Sequence, residues 1–154
     1  MPERRHNGYR IESMSIADFD EVLRLWKETE GMGLTESDTR DRTARYLERN
    51  PGLSLVARHE KEIVGTILCG HDGRRGYLYH LAVATKHRRN GLGKKLVRLC
   101  LARLEELGIL ICNAYVFADN AGGESFWLRH GWELRPNVKL LQKPLKSADR
   151  DRCG

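Results

Sequence analysis

Long hydrophobic runs are missing from this 154-residue chain. None approaches the ~20 apolar residues required to span a bilayer. The opening Met-Pro-Glu-Arg-Arg-His also lacks the apolar core of a secretion signal. No membrane partner is expected, and a cytoplasmic location is the default expectation. Cysteine is sparse and unpatterned: Cys69, Cys100, Cys112 and Cys153 show no Cys-x-x-Cys or other metal-ligand spacing. No metal and no disulfide framework is therefore implied. The first three lie in apolar segments and read as small core residues. Cys153 falls in a polar tail and is expected as an exposed thiol. Internal repeats, linkers and recognisable nucleic-acid modules are missing too. The formal net charge of +6 does not by itself make a nucleic-acid protein. Acids and bases interleave from Glu36 to Arg49, the pattern of a solvated helix face.

What remains suits one soluble domain over residues 1–154, with its core at about 9–145 and a polar, frayed tail at 146–154. Hydrophobic residues make up 40% and charged residues 31%, ordinary for a globular chain of this length. A strand is expected near Tyr9–Met14. Ser15 then caps a helix in which Ile16, Phe19, Val22, Leu23, Leu25 and Trp26 recur at helical spacing. Gly31 and Gly33 break that pattern. A second helix runs from Ser37 or Asp38 to Asn50, ended by Pro51-Gly52. Leu53–His59 and Glu62–Cys69 alternate as paired strands, Asp72-Gly73 marks a hairpin, and Tyr77–Val83 continues the meander. The central helix starts near Asn90, buries Leu92, Leu96, Leu99, Cys100, Arg103, Leu104 and Leu107, and stops at Gly108. Ile109–Val116 is apolar enough to predict a central strand. A short helix over Asn120–His130 and strands near Trp132–Arg135 and Val138–Gln142 complete the pattern. The order predicts an α+β fold around a mixed sheet.

The chemistry concentrates in Leu81-Ala82-Val83-Ala84-Thr85-Lys86-His87-Arg88-Arg89-Asn90-Gly91-Leu92-Gly93-Lys94-Lys95. A strand ends, a basic turn with two glycines follows, and a helix begins. Backbone N–H groups, the positive end of a helix dipole and several cations then point at one place, which suits a pyrophosphate. The dinucleotide fingerprint fails because Leu96 stands where its third glycine belongs. The nucleotide P-loop fails because Lys95 follows Gly93-Lys94 where Ser or Thr is required.

Arg88-x-x-Gly91-x-Gly93 resembles the coenzyme A loop of the GNAT superfamily of N-acetyltransferases. Asn120, Gly123, Phe126, Trp127, Gly131 and Trp132 resemble that family's closing pattern, and the hairpin with Tyr77–His80 resembles a YpeA-like bacterial branch. The likeness covers roughly residues 9–145. It implies a mostly antiparallel mixed sheet flanked by about four helices. It also implies a splay between the fourth and fifth strands, those holding Tyr77–Val83 and Ile109–Val116. The co-substrate would be acetyl-CoA. Leu81, Ala82 and Val83 would hold its pantetheine through backbone, Arg88, Arg89, Asn90, Gly91, Leu92, Gly93 and Lys94 its phosphates, and Asn120 and Trp127 the pantetheine flank.

The same likeness implies direct acetyl transfer to a primary amine in a ternary complex, with the backbone N–H near Val83 polarising the thioester carbonyl. The family often has Tyr where Trp127 stands, and an indole N–H is no practical proton donor at neutral pH. Strand alternation sets Tyr77 and Tyr79 on one face and Leu78 and His80 on the other, so His80 reads as core. The resemblance implies acid/base residues at the positions of Tyr77 and Tyr79, which makes Tyr79 and then Tyr77 the candidate catalytic residues. The resemblance implies that the connection after the first helix, with Glu28, Glu30 and Met32, borders the acceptor pocket, and its acids would favour a small amine or basic peptide end. Monomer and homodimer both stay open. So do two other readings: a non-catalytic acyl-CoA-binding regulator, and a basic nucleic-acid-binding domain.

Overall fold

The computed structural model describes residues 4–145. Cys153 and the rest of the polar tail lie outside the described residues. The elements are β1 (Arg4–His6), β2 (Tyr9–Ser13), α1 (Phe19–Glu28), α2 (Arg40–Arg49), β3 (Leu55–His59), β4 (Glu62–His71), β5 (Arg75–Val83), α3 (Leu92–Glu106), β6 (Ile111–Ala114) and α4 (Ala121–Arg129). Short 3-10 turns at Ile16–Asp18, Glu36–Asp38 and Thr85–His87 lead into α1, α2 and the loop before α3. The six strands lie in chain order, antiparallel throughout except that β6 joins β5 in parallel. The α+β expectation holds, with an additional strand, β1, at the N-terminal edge.

Two apolar layers fix the sheet between helices. On one face α1 buries Phe19, Val22, Leu25 and Trp26 against Met14, Val56, Leu68 and Ala82. On the other α3 buries Leu92, Leu96, Val97, Cys100 and Leu104 against Ile11, Leu55, Ile67 and Leu78. Each Val, Leu, Ile, Phe or Met among them contributes roughly 1.5–3 kcal/mol of apolar transfer. β4 is buried from Ile63 to Gly70, because helices cover both of its faces. Ser15 opens the 3-10 turn that leads into α1, its N–H donating to the Asp18 carboxylate at 3.0 Å, so the cap expected of Ser15 belongs to that turn and Asp18 stands at the cap of α1.

Three expectations are corrected. Leu107 is 48% exposed at the end of α3, and half-buried Arg103 pairs with Glu106 at 2.9 Å on the solvent side. β6 is an outer strand rather than a central one, with Leu110 90% exposed. Its apolar composition reflects one packed face, not two. No strand is assigned at Trp132–Arg135 or Val138–Gln142. A turn at Pro136-Asn137, with the Val138 N–H donating to the Arg135 carbonyl at 3.3 Å, interrupts that stretch.

β5 carries two irregularities. The β5–β6 ladder runs from Arg75↔Ile111 to Leu78↔Ala114 and stops, so Tyr79–Val83 pair only with β4. His80 and Leu81 together oppose the single residue Ile67 between the pairs Leu68↔Tyr79 and Thr66↔Ala82. This is a β-bulge, and His80 takes φ +51 within it.

Candidate active site

A groove of about 2490 Å³ follows the free edge of β5. One end is made by the turn from Val83 to the start of α3. Gly91 caps α3 with φ +83, a left-handed conformation that side chains rarely take. The side chain of Asn90 is spent on building this turn: its Oδ1 accepts the Leu92 N–H at 3.3 Å and its Nδ2 donates to the Tyr9 hydroxyl at 2.6 Å. The Tyr9 hydroxyl also meets His87 Nδ1 at 2.8 Å, so a buried tyrosine of β2 pins both ends of the turn. Arg88 donates from Nε to the Val83 carbonyl at 2.9 Å and pairs with Glu30 at 2.7 Å. That neighbour holds the Glu30 carboxyl below the usual carboxylate range. Among the described residues no protein acceptor takes the Gly93 or Lys94 N–H. Two backbone donors at a helix N-terminus, with Arg88, Arg89 and Lys94 beside them on the groove wall, suit a diphosphate.

The other end is made of side chains from distant segments. The bulge turns His80 off the face that alternation assigns to it and onto the α1 side. There it packs edge-on against Trp26 at 4.8 Å between ring centres and meets Asp38 Oδ1 through Nε2 at 2.8 Å. Asp38 is fixed in turn, its Oδ2 accepting the Thr35 N–H at 3.0 Å. Both members are largely buried yet line the groove. The bulge itself is held from beneath, where Thr66 donates from Oγ1 to the His80 carbonyl at 3.3 Å and accepts the Trp26 indole N–H at 3.1 Å. Strict alternation puts His80 in the core on the opposite face. Extra strand length, invisible to period-two reasoning, reverses that assignment.

Tyr79 also lines the groove, but Tyr77 does not. The two form a triangular cluster with Tyr115, each pair of ring centres 6.2–6.3 Å apart. Burial, with Tyr115 and Tyr77 adding to it, pushes the Tyr79 phenol up to about 12. At neutral pH it is a hydrogen-bond donor rather than a base. The connection after α1 closes the groove from above. A Cβ on Gly31 would stand 2.7 Å from Asn120 Nδ2, and one on Gly33 2.5 Å from the Phe117 ring. A side chain at either position would push Asn120 or Phe117 aside. Asn120 caps α4, accepting the Gly123 N–H at 2.9 Å, and Trp127 packs against Trp132 at 4.7 Å between ring centres.

The model of the Acetyltransferase (GNAT) family matches residues 19–132, most of the chain. This chain is a member of the GNAT acetyltransferase family. Acetyltransferase SG1711 of Sodalis glossinidius is 33% identical over 128 residues, spanning 83% of this chain and 89% of the relative. Acetyltransferase plu1384 of Photorhabdus laumondii is 38% identical over 89 residues, 58% of this chain and 59% of that one. Among solved structures, the PaiA N-acetyltransferase of Thermoplasma acidophilum in complex with coenzyme A superposes with TM-score 0.72 at 21% identity, covering 82% of this chain and 91% of that chain. At that identity the likeness speaks for the fold. Family and named relatives together make the chain an N-acetyltransferase.

Of the residues singled out from this GNAT sequence, Leu81, Ala82, Val83, Arg88, Arg89, Gly91, Leu92, Gly93, Lys94, Asn120 and Trp127 line the same groove, as do Glu30, Met32 and Tyr79. Asn90, Tyr77 and Glu28 do not. Glu28 is exposed at the end of α1, and Glu30 is engaged by Arg88. Sequence reasoning misses Tyr9 and the turned-in position of His80, and reads Asp38 as a helix start. The capping pattern Thr35-x-x-Asp38 is a signal for a fixed carboxylate, though not for its partner. Among the described residues no group of three or more His, Cys, Asp or Glu is placed to hold a metal.

Proposed function

We propose that this GNAT acetyltransferase moves the acetyl group of acetyl-CoA onto a primary amine by direct transfer in a ternary complex. The observation that carries the reading is the end of the β5–β6 ladder at Leu78↔Ala114. It leaves the edge of Tyr79–Val83 open for an extended thioester arm beside a helix N-terminus suited to its phosphates. Acetyl-CoA supplies the acyl group as an activated thioester. The backbone around Leu81–Val83 offers donors for the thioester oxygen, where charge develops in the transition state. Gly93 and Lys94 N–H groups, with Arg88, Arg89 and Lys94 side chains, hold the diphosphate. The pairing with coenzyme A in the PaiA structure supports this assignment of the co-substrate.

His80 is the base in this reading, and Asp38 positions it. The amine must be neutral to attack, and the His80 imidazole, on the groove wall, is placed to take its proton. The amine N–C bond forms, the C–S bond breaks, the amine proton passes to His80, and the thiolate is protonated from solvent. Tyr79 lines the path and donates a hydrogen bond, while Trp127 forms an apolar wall. Direct transfer is favoured over an acyl-enzyme because Cys69, Cys100 and Cys112 do not line the groove. Burial pushes the Cys112 thiol up to about 12. The Cys100 thiol lies well above its ordinary value, through its hydrogen bond with Cys69 and then through burial. The test is free-thiol release from acetyl-CoA over a panel of amines, with product identified by mass. Thiol released only in step with acetylated amine supports the reading. Acetyl-CoA binding without release for any amine would favour a non-catalytic regulator.

A further inference from the structure

The half of the groove beyond His80 carries the opposite charge to the one expected from Glu28 and Glu30. α2 contributes Arg42, Arg45 and Arg49, all exposed and all lining the groove. Their spacing of three and then four residues sets them along one stripe of the helix. None of the three is paired with a carboxylate among the described residues. The two acids on that stretch of wall are already engaged, Asp38 by His80 and Glu30 by Arg88. The stripe is tied to the reaction centre by Tyr46, which sits between Arg45 and Arg49 in sequence and meets Tyr79 edge-on at 6.4 Å. A groove wall with three guanidinium groups that have no carboxylate partner among the described residues repels a second cation and attracts an anion. Guanidinium forks match carboxylate geometry in particular.

We infer that the acceptor amine carries a carboxylate, received by Arg42, Arg45 and Arg49 while its amino group reaches His80. The acceptor class is thus an amino acid or a close amino-carboxylic acid, not a polyamine or a basic peptide end. This inference rests on the transfer reading above and names the substrate class for the same site.

The experiment measures thiol release from acetyl-CoA with amino acids paired to their own carboxamides, and with phosphoethanolamine as a third arm. For at least one amino acid, kcat/KM is expected to exceed that for its carboxamide by about tenfold or more. In the Arg45→Gln/Arg49→Gln protein the ratio should fall to about twofold or less, with unchanged affinity for acetyl-CoA. Ratios within about twofold for every pair in the native protein, or a preference for carboxamides or for the phosphate, overturn it. Absence of thiol release with every amine, while acetyl-CoA still binds, counts against the transfer reading instead. Calorimetry of the same pairs on protein saturated with coenzyme A then decides the carboxylate question. Tighter binding of the carboxylate member supports the proposal and equal binding overturns it.

Discussion

The two ends of the groove are built by different means. The end near α3 is backbone: a glycine in a left-handed conformation, two helix-terminal N–H groups without protein acceptors among the described residues, and a strand edge left open where β6 ends. The end near α2 is side chain: His80 and Asp38, 42 residues apart, and Tyr46 and Tyr79 from separate elements. A backbone site requires glycine at fixed spacing and a cap at a fixed place, so few sequences can write it. A side-chain site can be assembled from any segments the fold brings together. Under the proposed transfer, coenzyme recognition is generic and acceptor choice belongs to this chain's own α2, turn and bulge.

That contrast predicts separable effects. The largest concerns His80→Gln. It should lower kcat by roughly 10²–10⁴, the usual contribution of a general base, and leave acetyl-CoA affinity unchanged. Loss of coenzyme affinity in that variant would mean the two ends are not independent. Conversely, Gly93→Val should weaken acetyl-CoA binding by about 100-fold or more, close to 3 kcal/mol, while the protein stays folded. A Cβ at Gly93 meets Phe126 and Val83 at 3.6–3.7 Å, ordinary contact, so the first atom of the new side chain fits, and Gly93→Ala is the milder control for the two γ-methyls of valine. Titration calorimetry and circular dichroism read the two parts of that prediction separately.

Next in size is Thr66→Val. It strips the Trp26 indole of its acceptor and the His80 carbonyl of a donor, costing about 1–3 kcal/mol in chemical denaturation. The bulge should loosen with it, so kcat falls further than coenzyme affinity. Tyr79→Phe is expected to reduce kcat only severalfold and to leave the pH–rate profile unchanged between about pH 6 and 9. The sign follows from burial: a phenol raised to about 12 stays protonated across that range and cannot supply the profile's limb. A lost limb in the phenylalanine variant would restore Tyr79 as the titrating group. The smallest effect belongs to Glu30→Gln. Releasing Arg88 from an exposed ion pair is worth about 0–1 kcal/mol, so acetyl-CoA affinity should rise no more than severalfold, and less in high salt.

Legibility in the sequence follows the same division. The helices and β2 through β5 are readable because caps, glycines and apolar periods agree locally. The loop from Arg88 to Lys94 is readable because its glycines mark a backbone requirement. Asn90 reads as a ligand contact in the sequence, yet its amide accepts the Leu92 N–H at the start of α3 and ties the turn to Tyr9, a partner 81 residues away. Alternation assigns His80 to the wrong face because it assumes a regular ladder, and the Thr66–Leu68 register shift breaks it. Ile109–Val116 looks central because an apolar run does not say whether both of its faces are packed. The acidic stretch around Glu28 and Glu30 looks like an acceptor wall until the fold brings Arg88 to one and leaves the other outside the groove.

Amide hydrogen exchange with and without saturating acetyl-CoA tests the central claim most directly. Exchange should slow at Leu81–Val83 and at Gly93 and Lys94, with Arg42–Arg49 of α2 unaffected until an acceptor is added. Protection centred on α2, or none at the open edge of β5 despite bound acetyl-CoA, would contradict it.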